Sequence, residues 1–301
     1  MHPHAHSSGH REHKLFAAFA LTLCALLLEA VGGWLSGSLA LVADAGHMLV
    51  DALALLFAWL GAHFARRPAD ARRSFGYARL EVLVGYTNAL AQFVLVGWIV
   101  VEAIGRLLQP AMILSGTMLV VAIAGLLVNL VVLRVLRGHD EHDLNTASAR
   151  LHVLGDLFGS LGAVVAALLI RSFDWGWADA SISVLVSVLI LGNAWRLLRR
   201  SGHILLEGAP EGTGSALIAD AIGEARVGVN GVHHVHVWEL SGGTAMATLH
   251  ARLEEGADPD RAIGAVQALL RERFAIRHAT VQIEAGPCTG MACADAGHAH
   301  D

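Results

Sequence analysis

The sequence predicts an α-helical polytopic membrane protein, six transmembrane helices followed by a small C-terminal α/β domain, and three observations lead there. Of 301 residues, 55% are hydrophobic and only 16% charged, whereas soluble domains carry about 25% charged residues. Mean hydropathy is correspondingly high, at +0.55. Six apolar segments each reach the ~17–25 residues that a bilayer span requires. From Gly202 onward these runs give way to short alternating stretches, the pattern of half-buried strands.

The chain opens on a polar, His-rich cytoplasmic tail over residues 1–14, MHPHAHSSGHREHK, and no small-residue cleavage pattern follows it. The first apolar segment is therefore expected to stay as a span. The spans run about Leu15–Leu35, Leu39–Phe64, Leu80–Leu107, Met112–Leu136, Ala147–Ile170 and Ala178–Leu198, within a membrane domain of residues 15–200. Arg66, Arg67, Arg72, Arg73 and Arg79 crowd the link between spans two and three. Arg134, Arg137 and Arg150 flank the link between four and five, and Arg196, Arg199 and Arg200 follow span six. The opposite links hold only Arg106 and Arg171 at their edges. Basic loops stay in the cytoplasm, so both termini are expected there.

In the cytoplasmic domain, residues 201–286, Ser215–Arg226 is helix-like. Val232–Leu240 (VHHVHVWEL) and Thr244–Glu254 alternate as strands do, and Ser241-Gly242-Gly243 between them is a hairpin signal. Pro259–Phe274 has helical periodicity, with Asp258 as N-cap, and His278–Ala285 reads as a last strand. The order αββαβ is that of a ferredoxin-like or metallochaperone-like open-faced sandwich, with two helices on one face of three strands. Residues 287–301 are expected to be a flexible tail with Cys288, Cys293 and the run His298–His300.

A formal net charge of −5 and a pI of about 6.4 give no support for a nucleic-acid partner. Three cysteines, Cys24, Cys288 and Cys293, are too few and too scattered for a disulfide framework. Histidine, by contrast, is abundant at 18 residues. In span two, LALVADAGHMLVDALALL, His47 and Asp51 stand one helical turn apart on one face, and Asp44 lies on roughly the same face. An ionisable residue at membrane depth is expensive and marks a functional site by default. The same spacing recurs in span five, RLHVLGDLFGSLG, as His152 and Asp156.

A single intramembrane histidine is equally explained as a hydrogen-bonded packing residue. Two matched pairs supply two imidazoles and two carboxylates, a tetrahedral zinc set. Asp44 then exceeds a four-ligand shell and is read, with Asn88, as lining the vestibule or supporting the ligands. Imidazole with carboxylate suits zinc, cadmium or cobalt; magnesium, calcium and manganese prefer all-oxygen shells. Copper's soft thiolates are lacking, because Cys24 is the only membrane thiol. Glu29, Glu81, Asn88 and Glu102 are better explained by hydrogen bonding between helices than by a water path. Arg79 and Glu81 are expected to pair near the cytoplasmic end of span three.

Four stretches now carry a resemblance: LALVADAGHMLVDALAL, SFGYARLEVLVGYTNAL, LNTASARLHVLGDLFGS and LLEGAP. Together they resemble the cation diffusion facilitator family in its zinc-exporting branch, over essentially the whole chain after residue 14. The resemblance implies that His47, Asp51, His152 and Asp156 form the transport site. It implies a homodimer, six membrane helices with a cytoplasmic domain of the fold read above, and exchange of zinc for protons in a bacterial cytoplasmic (inner) membrane. It further implies a regulatory Zn2+ held by His233, His250 and Glu284 in the cytoplasmic domain. Strand alternation alone turns His234 and His236 to one side and His233 to the other.

Exchange is also arguable from the residues. Free histidine titrates at about pH 6.5, so zinc binding displaces protons and an acidic outer compartment returns them. The aspartates neutralise the divalent charge, and the helices must present the site to alternate sides. The expectation is a transporter and not an enzyme, since HExxH is absent and no glutamate base accompanies either pair. The rivals are Cd2+, Co2+ or Fe2+ as cargo, and a membrane metal sensor. The His-rich tail and the link Gly138–Asp143 (GHDEHD) are at most weak metal captors without fixed geometry.

Overall fold

The computed structural model describes residues 7–65, 70–136, 144–241 and 243–284; the side chains of 7–19, 58, 59, 61–65, 136 and 144–153 lie outside that description. Residues 2–6, the GHDEHD link, Cys288, Cys293 and the HAH run, all singled out above, therefore lie outside the described residues. The chain divides into two compact units, residues 1–60 with 84–198, and residues 61–83 with 199–301.

The first unit is built on six helices: α1 (Ser7–Ser36), α2 (Leu39–Ala65), α3 (Leu80–Leu108), α4 (Ser115–Leu136), α5 (Leu144–Phe173) and α6 (Trp177–Leu205). Among the described residues, five carry a segment long and apolar enough to cross a membrane, and α1 contributes the shorter apolar stretch Ala20–Ser36. These are the six segments read from the sequence. Helix α6 outruns the predicted Leu198 because loss of apolarity does not break a helix; it ends near Glu207, whose φ of 60° is left-handed. Val94, Val101, Val120 and Leu127 are exposed on the bundle exterior, where lipid chains would lie. Inside, Ala163, Ala166 and Ala167 of α5 pack with Met118 and Ala122 of α4 and with Ala40 and Leu41 of α2. Small side chains at such interfaces let helix backbones approach closely.

A buried carboxylate fastens three helix ends. Asp179, in the first turn of α6, accepts from Ser38 Oγ and Leu39 N at 2.6 Å and from Ala40 N at 3.1 Å, all at the start of α2. Free N–H groups at a helix N-terminus favour an anion, so an acid from α6 caps α2. Arg106 of α3 lies 3.7 Å from Asp179 and donates to the Gly37 carbonyl.

The second unit holds α7 (Ser215–Ala225), β1 (Val229–Glu239), β2 (Ala245–Leu253), α8 (Pro259–Phe274) and β3 (His278–Glu284). The sheet order is β1-β2-β3; β1 and β2 pair antiparallel, β2 and β3 parallel. Parallel neighbours need a crossover, and α8 supplies it. Ile218 and Ile222 of α7 and Val266 and Leu270 of α8 pack with Leu249 and Ala251 of the central strand. The sandwich is the one expected. Asp258 caps α8, accepting from Arg261 N at 3.0 Å ahead of Pro259. β1 starts at Val229, earlier than its apolar alternation indicates, because irregularities between Val229 and Gly231 and between His233 and His236 break the period of two.

Candidate metal centres

Within the first unit, α2 and α5 bring His47, Asp51 and Asp156 together. His47 Nε2 lies 3.6 Å from Asp51 Oδ2 and 3.9 Å from Asp156 Oδ1. Asp156 is buried, and His47 and Asp51 are partly so. Backbone position puts His152 one helical turn from Asp156 on α5, while its side chain lies outside the described residues. Three of the four predicted ligands therefore face one another across two helices.

The support for these ligands comes from α3. Asn88 Nδ2 donates to Asp51 Oδ1 at 3.4 Å. Gln92 Nε2 stands 2.8 Å from His47 Nδ1 and 2.8 Å from Asp51 Oδ1. Asn88 was anticipated and Gln92 was not. The signal for it was present: Asn88 and Gln92 repeat on α3 the four-residue interval of His47 and Asp51 on α2.

Asp44 belongs to a neighbouring polar knot. Ser160 Oγ lies 3.3 Å from both Asp44 Oδ2 and Glu29 Oε1, with one hydrogen to give to either, and Asn129 Nδ2 donates to Ser160 at 3.0 Å. All four residues are buried. Glycine makes room for the acids: a Cβ on Gly159 would come within 2.6 Å of Asp44 Oδ1, and one on Gly125 would collide with Glu29 Oε1. Glu29 thus hydrogen-bonds between helices, whereas Glu102 pairs with Arg106 along α3 itself. Arg79 does not pair with Glu81. Arg79 lies in the turn ahead of α3 and meets Glu207 at 3.1 Å, both in the second unit.

In the second unit, His233, His250 and Glu284 each offer a ligand atom within 4.8 Å of the others. Register explains this: His233 is opposite His250, and Glu284 is paired with Arg252 on the next strand. Glu284 Oε1 is 2.9 Å from His250 Nδ1, and Oε2 is 3.1 Å from His233 Nε2. That second pair is close without hydrogen-bond geometry, leaving both atoms buried and without a hydrogen-bond partner among the described residues. Orphaned donor atoms converging at this distance fit a zinc ion. Burial chiefly holds the His233 imidazole below its ordinary value of 6.5, with the Glu284 charge opposing. It is then neutral at pH 7, the form that binds metal.

The alternation expected of β1 fails here. His234 adopts φ 49° within the bulge, and its ring lies 5.2 Å from that of His233 and 5.1 Å from that of His250. An extra residue on one strand rotates the side chains that follow it, so His234 joins the cluster instead of siding with His236.

A family model for the cation efflux transmembrane domain matches residues 15–206, and one for the cation efflux protein cytoplasmic domain matches residues 215–286. The chain belongs to the cation efflux family. This cation efflux protein is a polytopic transporter and not an enzyme. It is 44% identical to the zinc transporter ZitB of Escherichia coli (strain K12), over 99% of this chain and 98% of that one. It is 40% identical to the metal cation efflux system protein CzcD of Cupriavidus metallidurans, over 95% and 90% of the two chains. A cadmium, cobalt and zinc/H(+)-K(+) antiporter of Bacillus subtilis (strain 168) is 35% identical, over 93% and 91%.

Proposed function

We propose that this cation efflux protein exports Zn2+ from the cytosol in exchange for protons, using His47, Asp51, His152 and Asp156 as the transport site. It works as a homodimer in a bacterial cytoplasmic (inner) membrane with both termini in the cytoplasm. The observation that carries this reading is the approach of His47 Nε2 to the Asp51 and Asp156 carboxylates inside the helix bundle. A partly buried imidazole among carboxylates is a borderline-soft divalent site, and two aspartates balance the charge of the cargo. Likeness to relatives named zinc transporter, and to one named as exchanging metal for H+ and K+, supports cargo and coupling.

His233, His250 and Glu284 would hold a regulatory Zn2+. When bound, that ion cross-links the three strands by charge and coordination. The protein's part is to keep His233 neutral and to aim Glu284 at both imidazoles across the sheet.

The test is zinc flux into proteoliposomes under an imposed pH gradient, for wild type, Asp51→Ala and Asp156→Ala. Zinc moving against proton flow, with both variants inactive though folded, is the expected result. Zinc flux indifferent to the proton gradient overturns the coupling, and active variants overturn the site. Cadmium and cobalt belong in the same assay, because the Bacillus subtilis relative is named for all three metals.

A further inference from the structure

We infer that the second unit carries a site for the phosphate of an anionic phospholipid, in a cleft between the link ahead of α3, the start of α7 and β1. None of its lining residues belongs to either metal centre.

The cleft holds about 740 Å³, within the ~300–1,000 Å³ usual for small-molecule sites. Every lining residue falls in the second unit. Arg72, Arg73 and Arg79 line it, and the lining carboxylate, Glu207, is held by Arg79 at 3.1 Å. Arg73 also stands 3.6 Å from Asp70. Three guanidinium groups thus meet two carboxylates, and the balance is positive. Arg79 Nε remains buried with no hydrogen-bond partner among the described residues. The turn carrying the arginines is firmly built: Asp70 Oδ1 accepts from Arg72 N and Arg73 N, both at 2.8 Å, and the Arg73 guanidinium lies 4.6 Å from the Tyr77 ring centre.

Helix α7 adds a second kind of donor. Its first residue, Ser215, lines the cleft, and its N-cap, Gly214, has no side chain to offer the N–H groups of the first turn. Those groups and the helix dipole favour an anion. Guanidinium forks match phosphate oxygens in geometry as well as charge. The positive-inside rule accounts for arginines on this side of the membrane. It asks nothing of their arrangement, whereas here three of them line one cleft together with a helix N-terminus.

Two observations favour a lipid over free phosphate. Helices α3 and α6 have 29 residues each, ~43 Å at 1.5 Å per residue, which matches a bilayer counted with its headgroups. Arg79 directly precedes α3 and Glu207 follows α6 by two residues, so both stand at headgroup level. The rest of the cleft is partly apolar, with Trp238, Leu240 and the exposed ring of Phe75. Inorganic phosphate has no use for such a lining, whereas the glycerol and first acyl carbons of a lipid do. Basic pockets beside membrane helices recognise anionic headgroups in this way.

The test is native mass spectrometry of the full-length protein in detergent, titrated with phosphatidylglycerol, phosphatidylcholine or inorganic phosphate. Three variants are compared with wild type. Arg72→Gln/Arg73→Gln removes two charges from the cleft and keeps the backbone N–H groups that hold Asp70. Arg199→Gln/Arg200→Gln removes two exposed charges outside the cleft. Ser215→Asp sets a carboxylate in the first turn of α7, where the helix favours it and a phosphate does not.

Expected is saturable binding of one phosphatidylglycerol per chain, in preference to phosphatidylcholine. Its Kd should rise about 25-fold in Arg72→Gln/Arg73→Gln, about fivefold for each arginine, and stay as in wild type in Arg199→Gln/Arg200→Gln. Ser215→Asp should weaken binding without lowering the unfolding temperature. Equal losses in the two arginine pairs overturn the site, because attraction to a basic surface at large then suffices. Equal affinity for phosphatidylcholine overturns the anionic headgroup, and displacement of the lipid by equimolar inorganic phosphate overturns the lipid as source. If Arg72→Gln/Arg73→Gln does not fold, Ser215→Asp decides: wild-type affinity in that variant overturns the proposal.

Discussion

The two candidate metal centres use the same chemistry, histidine with carboxylate, in opposite ways. The cytoplasmic set closes on itself: Glu284 touches both His233 and His250, and all three sit on strands whose register is locked by backbone hydrogen bonds. The intramembrane set is looser, with 3.6 and 3.9 Å between His47 Nε2 and the carboxylates, on two separate helices, and amides from a third engage the ligands. Sheet register makes a permanent holder. Helices carrying competing donors make a holder that can let go. A transporter must release its cargo, so the looser construction suits the cargo and the closed one suits a resident ion.

The comparison breaks most visibly if the intramembrane carboxylates are dispensable. Asp156→Ala is expected to reduce zinc flux by at least about 100-fold, beyond what loss of a supporting partner costs. Zinc titration of the same variant by calorimetry should lose the intramembrane site and keep the cytoplasmic one. Glu284→Ala should do the reverse, weakening the cytoplasmic site about 10–100-fold while flux at saturating zinc persists. Equal damage to flux from both variants would erase the division of labour.

Asp179→Asn should be the largest purely structural effect. It removes charge from hydrogen bonds to Ser38, Leu39 and Ala40 in a buried place, worth about 2 kcal/mol. Thermal unfolding in detergent reads it, and the order of metal preference should not change. His47→Asp should relax discrimination of zinc from manganese by about tenfold, since oxygen replaces nitrogen in the shell. Competition flux measures it, and unchanged preference argues against ligation by His47.

The smallest effect lies away from both centres and serves as their control. The Arg72 backbone N–H foremost, with the Arg73 N–H and guanidinium and the Tyr77 hydroxyl, holds the Asp70 carboxyl below its ordinary value of 3.8. A depressed folded value means the clasp contributes fully above pH 3.8 and is lost as pH falls below it, through the folded value. NMR shifts of the Arg72 and Arg73 amides should follow that titration, and shifts that stay constant as pH falls through it would overturn the clasp.

Most of the fold was legible because apolar length and strand alternation are one-dimensional signals. His47 with Asp51 on α2, and Asp156 with His152 on α5, stood out because a four-residue spacing puts each pair on one face of its own helix. What escaped depends on partners distant in sequence or on irregular backbone. Gln92 looks like any buried amide until α2 is seen opposite it. Asp179 reads as an acid in the first turn of its own helix, and nothing local says that it caps α2, some 140 residues earlier. Alternation misassigned His234 because a bulge is a failure of the very period on which the assignment rests. Arg79 was matched to a sequence neighbour, Glu81, when its partner Glu207 comes 128 residues later.

The fastening of α2 at Asp179 also sets a lever. With its first residues held by Asp179, the helix has an anchored end from which the distance to each ligand can be measured. At 1.5 Å per residue, His47 sits about 12 Å from Leu39 and Asp51 about 18 Å. Any tilt about that end carries Asp51 half again as far as His47. A tilt about Leu39 would thus shear the two ligands relative to α5, displacing Asp51 farther than His47.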